Sequence, residues 1–241
     1  MEIIPIHISK EIEFGDDLSE LIANYIQIQD NDILVVAQKI ISKQEGRIIE
    51  LSSVTPSLLA QGISSQYQKN PHIVELILLE SKKIIRMNKG IIIVETNNGF
   101  ICANAGIDES NVKPGFATLL PKDSDASAEK LRKKILETTG NNVSVIISDT
   151  FGRPFRMGQT NCAIGISGMS PILDYAGTMD SFGNVLRVTA IAIADEICSA
   201  AELVMKKTAK CPAVIIRNYD YAKKSSSISE MIRAEDEDLF R

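Results

Sequence analysis

Two aspartates stand where metal chemistry is plausible. Asp108 and Asp149 each follow a short apolar run that reads as a strand, and each lies among small oxygen-bearing side chains, Ser110 and Asn111 in one case and Ser148 and Thr150 in the other. Carboxylate and hydroxyl oxygens are the ligands of hard cations such as magnesium and manganese, and a nucleotide's phosphates would complete the shell. Strand-end aspartates also cap turns, and spacing alone leaves both readings open. The stretch Gln38-Lys39-Ile40-Ile41-Ser42-Lys43 puts two lysines and a hydroxyl at the end of another strand. A lysine there either acts as a point charge on phosphate oxygens or faces solvent. Directly after Asp149-Thr150 come Gly152-Arg153-Pro154-Phe155-Arg156, and two arginines three apart can grip a carboxylate or phosphate, or lie free on a loop. The glycines of Ala163-Ile164-Gly165-Ile166-Ser167-Gly168 permit close backbone approach but make a weak phosphate signature. Neither a P-loop nor a Rossmann glycine fingerprint occurs.

The elements that must carry these groups are legible as an alternation of strands and helices. Residues 3–8, 33–37, 90–94, 99–103, 143–147 and 213–217 read as strands, and Asn97-Asn98-Gly99 is a hairpin signal between two of them. The all-apolar run Ile33-Leu34-Val35-Val36-Ala37 predicts a strand buried on both faces. Helical spacing places Leu18, Leu21, Ile22 and Tyr25 on one helix, and Thr55-Pro56-Ser57 and Pro71 open two more, since proline suits a first turn. A helix over 127–139 closes at Gly140, and another runs over 190–206. Residues 151–184, rich in glycine and turn formers, are expected to form loops and short strands over a site. The acidic run at 235–238 reads as a solvated helix end or tail.

Composition narrows the function. With 241 residues the chain can bury a real core, and an apolar fraction of 44% with 24% charged residues excludes disorder and fibrous architectures. Only 2 His and no Trp leave catalysis to carboxylates, lysines, arginines, hydroxyls and backbone groups. A net charge of -5 and 5% aromatic residues argue against a nucleic-acid partner. Cys102, Cys162, Cys198 and Cys211 are widely spaced in apolar surroundings and read as reduced, buried thiols. No signal peptide or membrane-length apolar run is present, so a cytoplasmic protein without a membrane partner is expected.

Taken in order, several segments resemble the coenzyme F420-0:gamma-glutamyl ligase family. They are Gly15-Asp16-Asp17-Leu18, Val35-Val36-Ala37-Gln38-Lys39-Ile40-Ile41-Ser42-Lys43 with Glu45-Gly46-Arg47, and Asn104-Ala105-Gly106-Ile107-Asp108 with Ser110-Asn111-Val112. Ser148-Asp149-Thr150-Phe151-Gly152-Arg153-Pro154, the 163–168 stretch and Ala194-Asp195-Glu196-Ile197 complete the set. The resemblance implies an α+β fold peculiar to the family, with two unequal, chain-discontinuous lobes. Residues 1–241 would form a single ligase unit with no separable second catalytic domain, assembled as a homodimer. It also implies a GTP-dependent acid–amino-acid ligase. The carboxylate of a deazaflavin lactyl phosphodiester would be phosphorylated, and the amine of L-glutamate would attack the resulting acyl phosphate.

Carried over by residue, Asp108, Asp149 and Thr150 match metal positions for Mg2+ or Mn2+, and K+ is a further candidate cation. Gln38, Lys39, Lys43 and Asn111 match nucleotide or metal-site positions and the 9–12 stretch a nucleotide-contacting one, while Lys43, Arg153 and Arg156 are the candidate catalytic cations. Phosphoryl transfer needs positioning and charge neutralisation, which suits a chain poor in histidine. One departure stands out: family members usually carry a glycine-rich loop after the long C-terminal helix, whereas Met205-Lys206-Lys207-Thr208-Ala209-Lys210-Cys211-Pro212 has no glycine and Asn218 replaces another. That leaves room for a related ligase with another acceptor, or for a nucleotide-binding protein without turnover.

Overall fold

A computed structural model describes residues 1–239. Strands β1 (Glu2–Ile6), β2 (Ile33–Ala37), β8 (Ser144–Arg153), β9 (Arg156–Ser167) and β12 (Ala213–Arg217) form the main sheet, in the order β1-β12-β2-β8-β9. The β2–β8 pair is parallel and the other neighbours are antiparallel. The apolar runs of β2, β12 and the first half of β8 are buried on both faces, as strands inside a covered sheet must be. A buried ion pair ties this sheet at one end: Arg217 donates to both oxygens of Asp32, at 2.8 and 2.7 Å.

Helices α1 (Leu18–Ala23), α2 (Gln38–Gln44), α5 (Ser124–Thr139) and α6 (Ile193–Met205) accompany that sheet. Asp17 caps α1 with its carboxylate. Helix α5 starts three residues before the expected position because Asp123 accepts the Ala126 N–H as its cap, and it ends at Gly140 in the left-handed region as expected. It presses so close to β9 that a Cβ on Gly165 would lie 2.5 Å from the Ser124 carbonyl oxygen. The glycine at 165 therefore serves helix–sheet packing, not phosphate approach.

Between β2 and α5 the chain builds a second hydrophobic cluster drawn from residues 51–119. It contains α3 (Leu58–Tyr67), α4 (Pro71–Leu79), the sheet β4 (Ser81–Asn88), β5 (Ile91–Thr96) and β6 (Ile101–Ala103), and the pair β3 (Ile48–Glu50) with β7 (Phe116–Thr118). The larger cluster gathers residues from 6–41, 100 and 120–228. Pro71 occupies the first turn of α4, but Pro56 precedes the Ser57 cap of α3 and lies outside the helix. The Asn97-Asn98-Gly99 turn joins β5 to β6 as expected, with Gly99 at φ 88°. Strand β4 escapes the sequence reading because Lys82, Lys83 and Arg86 and two register shifts break its alternation.

Three further expectations are corrected, whereas the acidic run is solvent-exposed over 235–237 as expected. Residues 151–167 are not loops: β8 and β9 form one long hairpin, and only the segment after Gly168 is irregular, with the short pair β10 (Leu173–Asp174) and β11 (Ala190–Ile191). Cross-strand hydrogen bonding overrides the turn propensity of Gly152 and Gly158 there. The last helix accordingly starts at Ile193, after β11. Strand β1 ends at Ile6 instead of Ile8. The acidic run forms a single 3-10 turn, Glu235–Glu237, whose Glu235 meets Lys83 at 2.6 Å. Among the described residues no helix is long and apolar enough to cross a membrane.

Candidate functional site

The parallel pairing of β2 and β8 brings their C-terminal ends side by side, and the groups singled out in the sequence emerge there. At the end of β2 the chain turns at once into α2. The residues Gln38 to Lys43 are thus a helix instead of a flexible strand end, as suits a stretch rich in helix formers. The Gln38 amide is buried and donates to Ser42 Oγ at 2.5 Å and to the Leu119 carbonyl at 3.1 Å, while Ser42 donates to the same carbonyl at 2.7 Å. Gln38 therefore anchors α2 to the strand region that carries Asp108. Lys43 is nearly buried and its ammonium pairs with Glu11, which places the 9–12 stretch against α2.

Asp108 follows a tight turn in which Asn104, Ala105 and Gly106 all have positive φ, and a Cβ on Gly106 would lie 2.8 Å from Leu120. Two backbone hydrogen bonds to Thr118, of 3.1 and 2.8 Å, then fix it. Its carboxylate accepts the Ser110 N–H at 2.7 Å, the Ser110 hydroxyl at 3.0 Å and the Lys39 ammonium at 2.6 Å. Burial raises its pKa, but Lys39 and Ser110 together outweigh that and hold the carboxyl below the usual range. Asn111 is exposed, with φ 57°.

Asp149 lies inside β8, not beyond it, because β9 pairs with the strand as far as Arg153. Its pKa is pushed up to about 6, first by burial and further by Asp108, although the Thr150 N–H, Lys39 and Lys207 pull the other way. Lys39, Asp108, Asp149 and Lys207 therefore share one electrostatic field. Thr150, the next residue of the strand, points to the opposite face. Its hydroxyl donates to Asn161 at 2.7 Å and accepts from Lys207 at 2.6 Å. Asn161 in turn donates to Ser148 and to Glu202 of α6, each at 3.1 Å, and Lys207 meets Glu202 at 3.2 Å. Asn161, Glu202 and Lys207 were not singled out from the sequence as site residues. The lysine-rich loop gave a signal for Lys207, whereas Asn161 and Glu202 gave none.

The two arginines lie farther out. Arg153 and Arg156 face each other across the tip of the β8–β9 hairpin, beside the exposed Phe155 and Met157. Arg153 is about 13 Å along the strand from Asp149 at the usual rise per residue. Its Nη2 donates to the Met157 carbonyl at 3.0 Å, while its buried Nε has no partner among the described residues.

The donor set fits a hard cation. Asp108 and Asp149 offer carboxylate oxygen and already lie in the field of lysine ammonium groups, whereas the Thr150 hydroxyl is on the opposite face of β8, engaged by Asn161 and Lys207. Among the described residues no three His, Cys, Asp or Glu side chains converge, so the protein alone does not close a shell. Water and phosphate oxygens would have to complete it, the pattern of magnesium and manganese and not of a structural zinc.

Two cavities lie near β8. One of about 340 Å³ is lined by Arg132, Ser144 and Tyr221 at the start of the strand, away from the aspartates, and Arg132 there is engaged by Glu129, Ser167 and Asn142. The other, of about 240 Å³, adjoins Asp149 through Phe151 and Cys162.

The family model described as F420-0:Gamma-glutamyl ligase matches residues 7–218. The chain is 46% identical over 235 residues to a coenzyme F420:L-glutamate ligase of Methanothermobacter thermautotrophicus, covering 94% of this chain and 93% of that one. It is 46% identical over 226 residues to the protein of that name in Methanocaldococcus jannaschii, with 93% and 90% covered. A third relative so named, from Archaeoglobus fulgidus, is 42% identical over 242 residues, covering 100% of this chain and 96% of its own.

Proposed function

Because the chain belongs to the F420-0:gamma-glutamyl ligase family and is a ligase, we propose that it joins L-glutamate to coenzyme F420-0, with GTP activating the acceptor carboxylate as an acyl phosphate. The observation that carries this reading is the meeting of Asp108, Asp149, Lys39 and Lys207 at the ends of β2 and β8. Asp108 and Asp149 would hold Mg2+ or Mn2+, while Thr150, on the opposite face of β8, positions Lys207. When bound, such an ion neutralises phosphate charge and polarises a phosphoryl oxygen. K+ is a further candidate in the same oxygen-rich surroundings.

The chain's own residues supply the remaining charge. Lys39 is poised on Asp108 and Lys207 on Thr150, each able to exchange its present partner for a phosphate oxygen. Lys43, held by Glu11, would meet the nucleotide at the 9–12 stretch, with Gln38 fixing the helix that presents it and Asn111 at the opposite rim. Arg153 and Arg156 at the hairpin tip would meet a substrate anion from outside. We take the two hydrophobic clusters as the two unequal lobes of one ligase unit, and a homodimer as its assembly.

The test is release of phosphate from GTP in the presence of magnesium or manganese. The expected result is release that requires both L-glutamate and the deazaflavin acceptor, and that falls by about 10²-fold or more in Asp108→Asn and Asp149→Asn. Full activity in both variants would overturn the assigned site. Release that ignores glutamate and acceptor would favour a nucleotide-binding protein without ligation.

A further inference from the structure

The cavity of about 240 Å³ beside Asp149 has no part in the reading above. Its floor is the β8–β9 hairpin: Phe151 is two residues on from Asp149 and so on the same strand face, and Cys162 is directly cross-strand from Asp149. Phe100 stands edge-on to Phe151, with ring centroids 6.2 Å apart, and walls one side. Asp195, in the first turn of α6, forms another side, and Arg233 of the C-terminal segment stands at the rim. One oxygen of Asp195 accepts the Ala163 N–H at 2.8 Å, and the other has no partner among the described residues. Arg233 makes no hydrogen bond or ion pair among the described residues.

We propose that this cavity is the seat of the amino-acid substrate, with Asp195 binding the ammonium of L-glutamate and Arg233 one of its carboxylates. The proposal rests on the ligase reading and assigns a role to Asp195, which that reading leaves without one. A carboxylate with one oxygen open on one wall and a guanidinium without a partner among the described residues at the rim match a zwitterion. The size matches as well, because sites for drug-sized ligands span about 300–1,000 Å³ and a multi-ring acceptor needs more than this opening gives. Position supplies the third argument. Phe151 is about 7 Å along the strand from Asp149. An amine seated there stands next to the place where the acyl phosphate would form, and the aromatic walls keep water from that reactive group.

Calorimetric titration of L-glutamate into the full-length protein, with magnesium and a non-hydrolysable GTP analogue present, tests the seat directly. Steady-state kinetics of the ligation give the second readout. In Asp195→Asn, which keeps the acceptor for the Ala163 N–H, and separately in Arg233→Gln, an exposed and unbonded site, the glutamate Kd and KM should each rise about tenfold or more. The KM values for GTP and acceptor should stay within about twofold of wild type. Unchanged glutamate constants in both variants, or a shift in acceptor KM instead, overturn the seat while the ligase reading stands. Glutamate binding that is lost in the variants of a protein that never ligates supports the seat and removes the ligase reading. A wild-type protein that neither binds nor ligates glutamate removes both.

Discussion

Burying the Asp149 carboxylate near Asp108 raises the free energy of its ionised form, so its pKa is pushed from 3.8 to about 6. Between those values the folded protein holds a proton that the unfolded chain has released. Stability of the metal-free protein must therefore fall as pH rises through that window, with the whole penalty in place above about pH 6. Asp149→Asn removes the charge. In thermal or urea melts with chelator at pH 8 the variant should be more stable than wild type by up to about 3 kcal/mol, a gap that narrows toward zero near pH 4. A variant less stable than wild type at pH 8 would show that Asp149 is not strained by its burial. Asp108 behaves in the opposite sense, since Lys39 and Ser110 hold its carboxyl down despite burial. The two aspartates thus differ through their neighbours and not through their type.

At the scale of elements, the loop after α6 keeps a glycine-like backbone without glycine. Lys206 has φ 49° and ψ 166°, and Lys210 and Asn218 also have positive φ. A side chain in such a conformation costs about 1–3 kcal/mol, and the region around Lys206 favours glycine strongly. Lys206→Gly should therefore stabilise the protein by about 1 kcal/mol, read as a higher urea midpoint at unchanged slope, while Lys206→Ala gives no such gain. The same loop places Lys207 on Thr150, so what it loses in backbone freedom it returns as charge near the site. The sequence showed the missing glycines. It did not show that the backbone would enter the positive-φ region at Lys206, Lys210 and Asn218 without them.

At the scale of the whole molecule, packing buries three of the four thiols, Cys102, Cys198 and Cys211, whereas Cys162, expected to be buried, is half-buried on the cavity beside Asp149. Burial pushes Cys102 up to about 12 and Cys162 up to about 11, in both cases with Asp149 adding to the effect, and it raises Cys198 and Cys211 as well. At pH 8 Cys102 and Cys162 hold a thiolate fraction on the order of one in a thousand or less, and burial also holds Cys198 and Cys211 toward the neutral thiol. A thiol reagent should therefore find less than about one fast-reacting equivalent in the native protein and all four after unfolding in denaturant. Rapid native-state labelling of two or more would contradict this packing. The strands at 33–37 and 213–217 and the stop of α5 at Gly140 were legible in the sequence, because apolar runs and helix-ending glycines act through near neighbours, whereas the Asp123 cap of α5 and the place of Asp149 inside β8 were not. Long-range pairing decided the rest. It made residues 151–167 a hairpin, turned Thr150 away from Asp149, set Asp195 beside Phe151 and Cys162, and drew Asn161, Glu202 and Lys207 together. No local rule encodes those contacts, since each depends on which strands and helices come to lie side by side.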